Sequence, residues 1–529
     1  MKSGGNILKW KDGRIAMQLS RTVHLENPES GVAHEETAAS LHTAVMEAIR
    51  QWNETGRALV TVEASLTDET KVQPGLNLIT FTDTAPFESG QCDKQIYIAC
   101  TILTFVQETG EIQNVSIAFN PYLRHSSIGL MGTHDVGLVM MHEMGHAAGL
   151  DHSPLLDAVM AASVELASQS PGAEIAYRQL SSDDVLTLAL VYPLAEPGEN
   201  TPGRNYGTIR GTIQRNDQPL EGANVFAFDL AGRPIYGSLS EPNGSYSLEL
   251  PAGEYRLAAE PLDGPALASQ MVSPPTSANP FPTTFWTAGG GQSNTADTIT
   301  VCAGQIRAGI DFAVPDLPVV NAESIGLVQS GLYLGGHRVT VGRGREYLLG
   351  LTRSPPNGNP DIGFWQAPVL AVGLANFPNS APQLVRQKIQ IADDAVPGAY
   401  IVHYYAEDTG SVLAGALRIV PSPAVTSILD AATGLELSAY AAGQLLSIKG
   451  TGLAIADAVA QAWAEGSVRP NQLAGSSVRI GGRWAPLFAV SPSEIVVEVP
   501  AGLTGESAEL RVVTGAGVES DAITLNLAQ

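Results

Sequence analysis

The apolar positions change their spacing about a third of the way along the chain. Up to about residue 197, apolar residues at helical spacing alternate with short apolar strands. Beyond it, short runs of alternating apolar and polar residues are separated by Gly, Pro, Asn and Asp turns. GRIAMQLS predicts a first strand. In HEETAASLHTAVMEAIRQWNETG, Ala38, Leu41, Val45, Ile49 and Trp52 recur at helical spacing and Gly56 offers a stop, so one long amphipathic helix is expected. LVTVEASL and LNLITFTD predict two more strands, and QIYIACTILTFV with IQNVSIAFN predicts a hairpin joined through ETGE. A second helix should begin after Asp135, a good N-cap, and carry VGLVMMHEMGHAA until Gly149 breaks it. A third should run from about Asp183 to Tyr192, since Ser181 and Asp184 stand at capping-box spacing. The order strand, helix, strand, strand, hairpin describes an α/β domain over residues 1–197, closed by the linker LAEPGENTPGRN.

The remainder reads as three all-β sandwich domains, over 204–314, 316–421 and 424–529. In the first, YSLEL and YRLAA flank the turns EPNGS and PAGE, and SPPTSANPFPTTFWTAGGGQSN is expected to be a long surface loop. Composition agrees with a multidomain, turn-rich protein: 44% hydrophobic and only 16% charged residues, with 54 glycines and 34 prolines in 529 residues. The net charge of -24 argues against nucleic acid or an anionic membrane as partner, and no apolar run is long enough for a membrane span. The opening residues lack the apolar core of a secretory signal; the low charge and repeated β modules nevertheless fit a secreted, extracellular protein whose signal has been removed. Three cysteines are too few for a disulfide framework. Cys92 and Cys100 are close enough to bridge across a local turn, paired or free, and Cys302 is expected to be an inert buried thiol.

The chemistry concentrates in MMHEMGHAAGLDHSPLLDAVM, which holds His142, Glu143, His146, Gly149 and His152 in the order H-E-x-x-H-x-x-G-x-x-H. His142 and His146 lie four apart, so on a helix their imidazoles share one face and can hold a single Zn²⁺. Gly149 can take a positive φ, which lets the chain turn sharply and bring His152 round as the third ligand. Glu143 follows a ligand directly, beside the metal, where it is the predicted general base for a water that the ion acidifies and a carbonyl that the ion polarises. A bare H-E-x-x-H arises by chance in roughly one chain in a hundred of this length, and the added glycine and histidine lower that to roughly a few in 100,000. Chance is therefore a poor explanation.

On these residues, positions from about 7 to 193 resemble a matrixin-type metzincin catalytic domain. IQNVSIAFNP, Ser153 after the third histidine, AVM at Met160 and LSSDDVLTLALVYP extend the resemblance. It implies a zincin fold with a mixed five-stranded sheet and three helices, one catalytic Zn²⁺, and Met160 as an apolar floor under the metal rather than a ligand. It also implies that the strand from Gln95 to Val106 pairs antiparallel with a protein or peptide substrate, and that the loop from Ala161 to about Leu180 shapes the pocket beyond the cut. The β modules resemble carboxypeptidase regulatory-like (transthyretin-like) and Ig-like sandwiches of secreted bacterial proteins. They are expected to position the enzyme on an extracellular polymer or cell surface, so that their removal would leave hydrolysis of short peptides nearly intact.

No cysteine-switch segment is recognisable, and Cys92 does not resemble one. His125 and His134 match no second zinc site and are expected at the surface or in caps; Asp151, Asp157 and Asp183 match no calcium loop and are expected to be solvated or capping carboxylates. The competing class is a surface adhesin or binding protein whose metal domain is structural or inactive. Undecayed His142, Glu143, His146 and His152 weigh against it.

Overall fold

The most continuously apolar strands occupy the middle of the N-terminal sheet. β1 (Arg14–Ser20), β2 (Thr61–Thr67), β3 (Leu78–Thr80), β4 (Ala99–Phe105) and β5 (Ile112–Phe119) pair in the order β2-β1-β3-β5-β4. The first four in that order run parallel, and β4 is antiparallel to β5, with which it forms a hairpin at the sheet edge. Leu78, Ile79, Val115, Ile117 and Phe119 are fully buried, as expected for central parallel strands covered on both faces. In this computed structural model, all residues are described except 4, 24–37, 57, 59, 128–132, 163–176, 195–204, 276–279, 290–295, 318–321, 330–331, 354–360, 365–368, 375–383, 407–408, 455–456, 461–469, 515–517 and 529. The predicted start of the first helix, most of the linker and most of the loop from Ala161 to Leu180 lie outside the described residues.

Helix α1 (Ala38–Asn53) buries Leu41, Val45, Ile49 and Trp52, the stripe that the sequence marks. Every residue of α2 (Val136–Ala147) except His146 is buried, so this helix has no solvent face and must satisfy its ends internally. Asp135 caps its start by accepting from the Leu138 N–H (2.8 Å), and Arg178 donates to the same carboxylate from Nε (2.7 Å) and Nη2 (2.6 Å). At its other end the Trp10 indole N–H donates to the Ala147 carbonyl and the Tyr192 hydroxyl to that of Ala148, each at 2.8 Å. The Trp52 indole donates to Met141 (2.9 Å) and locks α1 to α2. Helix α3 (Ser182–Val191) opens with the capping box read from Ser181 and Asp184. A disulfide joins Cys92 to Cys100, tying the edge strand β4 to the turn that follows a single helical turn at Ala85–Glu88.

Beyond residue 205 the described residues form a large all-β region with one 3₁₀ turn, Ala268–Gln270. Three pairs of sheets follow one another. The first pair is built around Tyr206–Arg215 in one sheet and Asn224–Asp229 with Gly253–Glu260 in the other; PAGE carries the chain from one sheet to the other. The second includes Ala322–Gln329 and Glu346–Arg353 in one sheet, and Gly398–Ala406 and Thr409–Val420 in the other. The third lies between Ala424 and Asn526.

Two expectations need correction. The stretch from Ser273 to Asn294 is not a free surface loop throughout, because Phe281 and Phe285 are buried and Thr284–Phe285 pairs with Ala258 and Ala259 in the sheet. Cys302 is exposed: alternation in Ile299–Val301 sends Val301 inward, and the chain turns away from the sheet at the next residue.

Candidate metal centre

Helix periodicity and one glycine bring three imidazoles to a point. His142 and His146 sit one turn apart on α2, after which the chain reverses at Gly149, whose φ of 93° is the left-handed conformation that glycine adopts without strain. A Cβ there would lie 2.1 Å from the carbonyl oxygen of Leu8, so the reversal needs glycine for space as well as for φ. The Nε2 atom of His152 then lies 3.2 Å from that of His142 and 3.1 Å from that of His146.

The outer nitrogen of each ring faces a backbone carbonyl. His142 Nδ1 donates to Val159 (2.8 Å), His146 Nδ1 to Leu150 (3.0 Å) and His152 Nδ1 to Gln270 (2.5 Å). Carbonyls accept only, so each Nδ1 carries the hydrogen, and each neutral ring turns an Nε2 lone pair toward the other two. Burial holds the three rings below the ordinary imidazole value, His146 at about 3, and keeps them neutral. Two of these lone pairs stand about 3 Å from that of His152, and all three ligand atoms lie within 4.8 Å of one another, so they repel unless a cation sits among them. The spacing is close to the roughly 3.3 Å edge of a nitrogen tetrahedron around Zn²⁺. Among the described residues these three histidines are the group of ligating side chains able to share one ion.

Glu143 is buried beside the triad. Burial pushes its carboxyl up to about 7, against the opposing effect of the Thr101 hydroxyl, which donates to Oε2 at 2.5 Å. Thr101 lies on the edge strand β4, so the carboxylate is tied to the strand at the rim of the sheet. Met160 packs beneath α2, where a Cβ on Gly145 would come within 2.1 Å of its Sδ. The turn carrying Met160 is held by Asp184, which accepts from the Val159 N–H (2.9 Å) and the Met160 N–H (3.0 Å) while also capping α3.

Several residues sit differently from the sequence reading. His125 and His134 are neighbours on a short strand pair, ring centroids 6.1 Å apart, with His134 buried and His125 half-buried; desolvation drives His125 to about 4. They join no three-ligand group among the described residues. Asp157 and Asp183 are buried rather than solvated: Asp183 accepts from Ser153 Oγ (2.7 Å) and the Gly237 N–H (3.0 Å). Thr101, the second role of Asp184 and the Gln270 carbonyl escaped sequence reasoning, because each acts through a long-range contact that leaves no local spacing.

Residues 30–193, under a third of the chain, match the matrixin family of peptidases. Comparison with curated proteins finds no match. Among solved structures, a surface glycan-binding protein from a mixed-linkage glucan utilization locus of Bacteroides ovatus is 15% identical over 58% of this chain, with a TM-score of 0.15; the match spans 60% of that protein, less than two thirds of its length. A DUF3823 family protein from Bacteroides ovatus is 15% identical over 40% of this chain and 98% of its own, with a TM-score of 0.14. The I9-I11 tandem of titin is 9% identical over 60% of this chain and 97% of its own, with a TM-score of 0.15. Overlaps this slight carry no argument about what the chain does.

Proposed function

We propose that this chain is a secreted zinc endopeptidase that hydrolyses peptide bonds by direct attack of water, with His142, His146 and His152 holding the metal and Glu143 as general base. What carries the reading is the convergence of three neutral imidazoles, Nε2 lone pairs facing inward, beside a buried carboxylate. The matrixin match over 30–193 supports the same chemistry.

When bound, a zinc ion supplies a Lewis acid that acidifies water and polarises the scissile carbonyl. Glu143 takes one proton from the attacking water as its oxygen bonds to the carbonyl carbon; the C–N bond then breaks, and Glu143 returns the proton to the departing amine. Thr101 holds the carboxylate for both transfers. The substrate lies along β4, whose place at the end of the sheet order suits it to take one more antiparallel strand, which favours extended peptides over compact small molecules. Met160 and Gly149 shape the site without touching substrate. The Cys92–Cys100 bridge supports an oxidising, extracellular setting, and no described helix is long and apolar enough to cross a membrane. Within this reading, the three sandwich domains remain candidates for contact with an extracellular polymer or cell surface.

Unfolded casein is the test substrate. The purified chain is expected to carry about one zinc, cleave casein at internal bonds, lose the activity to a chelator and regain it with zinc. Stoichiometric zinc without cleavage would favour the binding-protein class instead.

A further inference from the structure

Of the three carbonyls that orient the imidazoles, two come from the first 193 residues and one does not. Val159 and Leu150 belong to the segment that carries the triad, whereas Gln270 ends the 3₁₀ turn Ala268–Gln270 that follows strand Gly253–Glu260 of the first sheet pair. The contact is reinforced on both sides of His152. Asp151 Oδ1 accepts from the N–H of His152 and from that of Val272, each at 2.7 Å, and Oδ2 accepts from the Ser273 N–H at 3.0 Å. One carboxylate therefore fastens the backbone of the third histidine to the segment that supplies its carbonyl. After His152, Ser153 and Gly237 meet on the two oxygens of Asp183.

The loop from His152 to Met160 also enters the β region. Leu155 is fully buried with Phe226, Phe228, Phe285, Ile401 and Ala414, which come from both the first and second sheet pairs. Leu156 packs into the core of the second pair, donates its N–H to the Ala414 carbonyl (2.7 Å) and accepts from Arg338 (3.2 Å).

We infer that the first sheet pair is part of the metal site: it fixes the third imidazole through the Gln270 carbonyl and the Asp151 clamp, so that metal affinity depends on its docking, while the second pair anchors the loop that follows His152 at Leu155 and Leu156. Asp151 and the 268–273 segment are positioning elements, acting on the ion only through His152. This inference rests on the reading of the triad as a zinc site, and it departs from the expectation that the β modules are a dispensable tether. A ring whose Nδ1–H loses its acceptor is free to rotate and is a weaker donor, and such losses cost roughly 10- to 100-fold in metal affinity.

The test uses the full chain and reads zinc affinity by competition with a chromogenic chelator. Asp151→Ala removes the clamp, Asp151→Asn keeps an Oδ1 acceptor for His152 and Val272, and replacing residues 268–273 by a Gly-Ser stretch abolishes the Gln270 side-chain bond to the Leu267 N–H that closes the 3₁₀ turn, so that the carbonyl at 270 is no longer held against His152, without altering residues 1–193 or any strand. Weakening of roughly 10- to 100-fold in Asp151→Ala and in the exchanged chain, most of it recovered in Asp151→Asn, is the expected result. The exchanged chain decides the matter if Asp151→Ala does not fold. An affinity within twofold of the wild type in the exchanged chain would overturn the inference while leaving the protease reading intact. Failure of the wild type itself to bind zinc would remove that reading first.

Discussion

At the scale of single residues, the site depends on where protons reside. The hydrogen bonds from Nδ1 leave all three Nε2 atoms as acceptors, which is the state a metal ligand requires. Glu143 faces opposed influences: burial favours its neutral acid, while the Thr101 hydroxyl and, after it, the Thr101 backbone N–H favour the carboxylate. Thr101→Val removes the hydroxyl and keeps the backbone bond, so the acidic limb of kcat/KM should move to higher pH. The rate on the plateau should fall roughly 10- to 100-fold as the Glu143 carboxylate loses the bond that aims it, in line with about 1.5–3 kcal/mol for a hydrogen bond to a charged group. Thr101→Ser, which keeps the hydroxyl, should restore both. A pH profile of Thr101→Val that superimposes on the wild type would remove Thr101 from the mechanism.

At the scale of elements, α2 and the loop after it were legible because local rules govern them. Asp135 as cap, i,i+4 histidines, and a glycine at the break are each visible in a few consecutive letters, and the structure realises the cap and the positive φ. The capping box at Ser181 and Asp184 was legible for the same reason. Asp184 also holds the Val159 and Met160 amides, and that role was hidden because it joins positions 24 and 25 residues apart. The acids at 157 and 183 were misread as solvated on similar grounds. Asp157 stands in a loop and Asp183 in the first turn of α3, positions that are ordinarily solvated, and the β region packed against each of them buries them.

At the scale of the whole molecule, the junction between the loop after α2 and the β region is acidic, with Asp157, Asp183 and Asp184 all buried there. The Asp157 carboxyl is pushed up to about 7, chiefly by burial and partly offset by Arg418; its Oδ1 has no hydrogen-bond partner among the described residues and lies over Gly415 of the second sheet pair. A carboxyl raised from 3.8 to about 7 contributes stability that is full below 3.8 and is lost as the pH rises through about 7. Asp157→Asn stays neutral throughout, so its melting temperature relative to the wild type should rise between pH 4 and pH 8. A difference that stays flat across that range would mean that Asp157 is ionised in the folded chain. The buried imidazoles act in the opposite sense, but they are common to both proteins and cancel in the comparison. Strand-rich composition announced the β region, yet nothing in it announced that Leu155 and Leu156 would leave the metal loop to enter that region's core. The central claim is that a carboxylate beside three metal-holding imidazoles drives peptide hydrolysis. Digestion of a random peptide library by wild type and Glu143→Gln, each loaded with equal zinc, tests it most directly. Internal cleavage by the wild type that falls by roughly 10²- to 10⁴-fold in the variant is the predicted result; equal cleavage by the two proteins, or none by either, would contradict it.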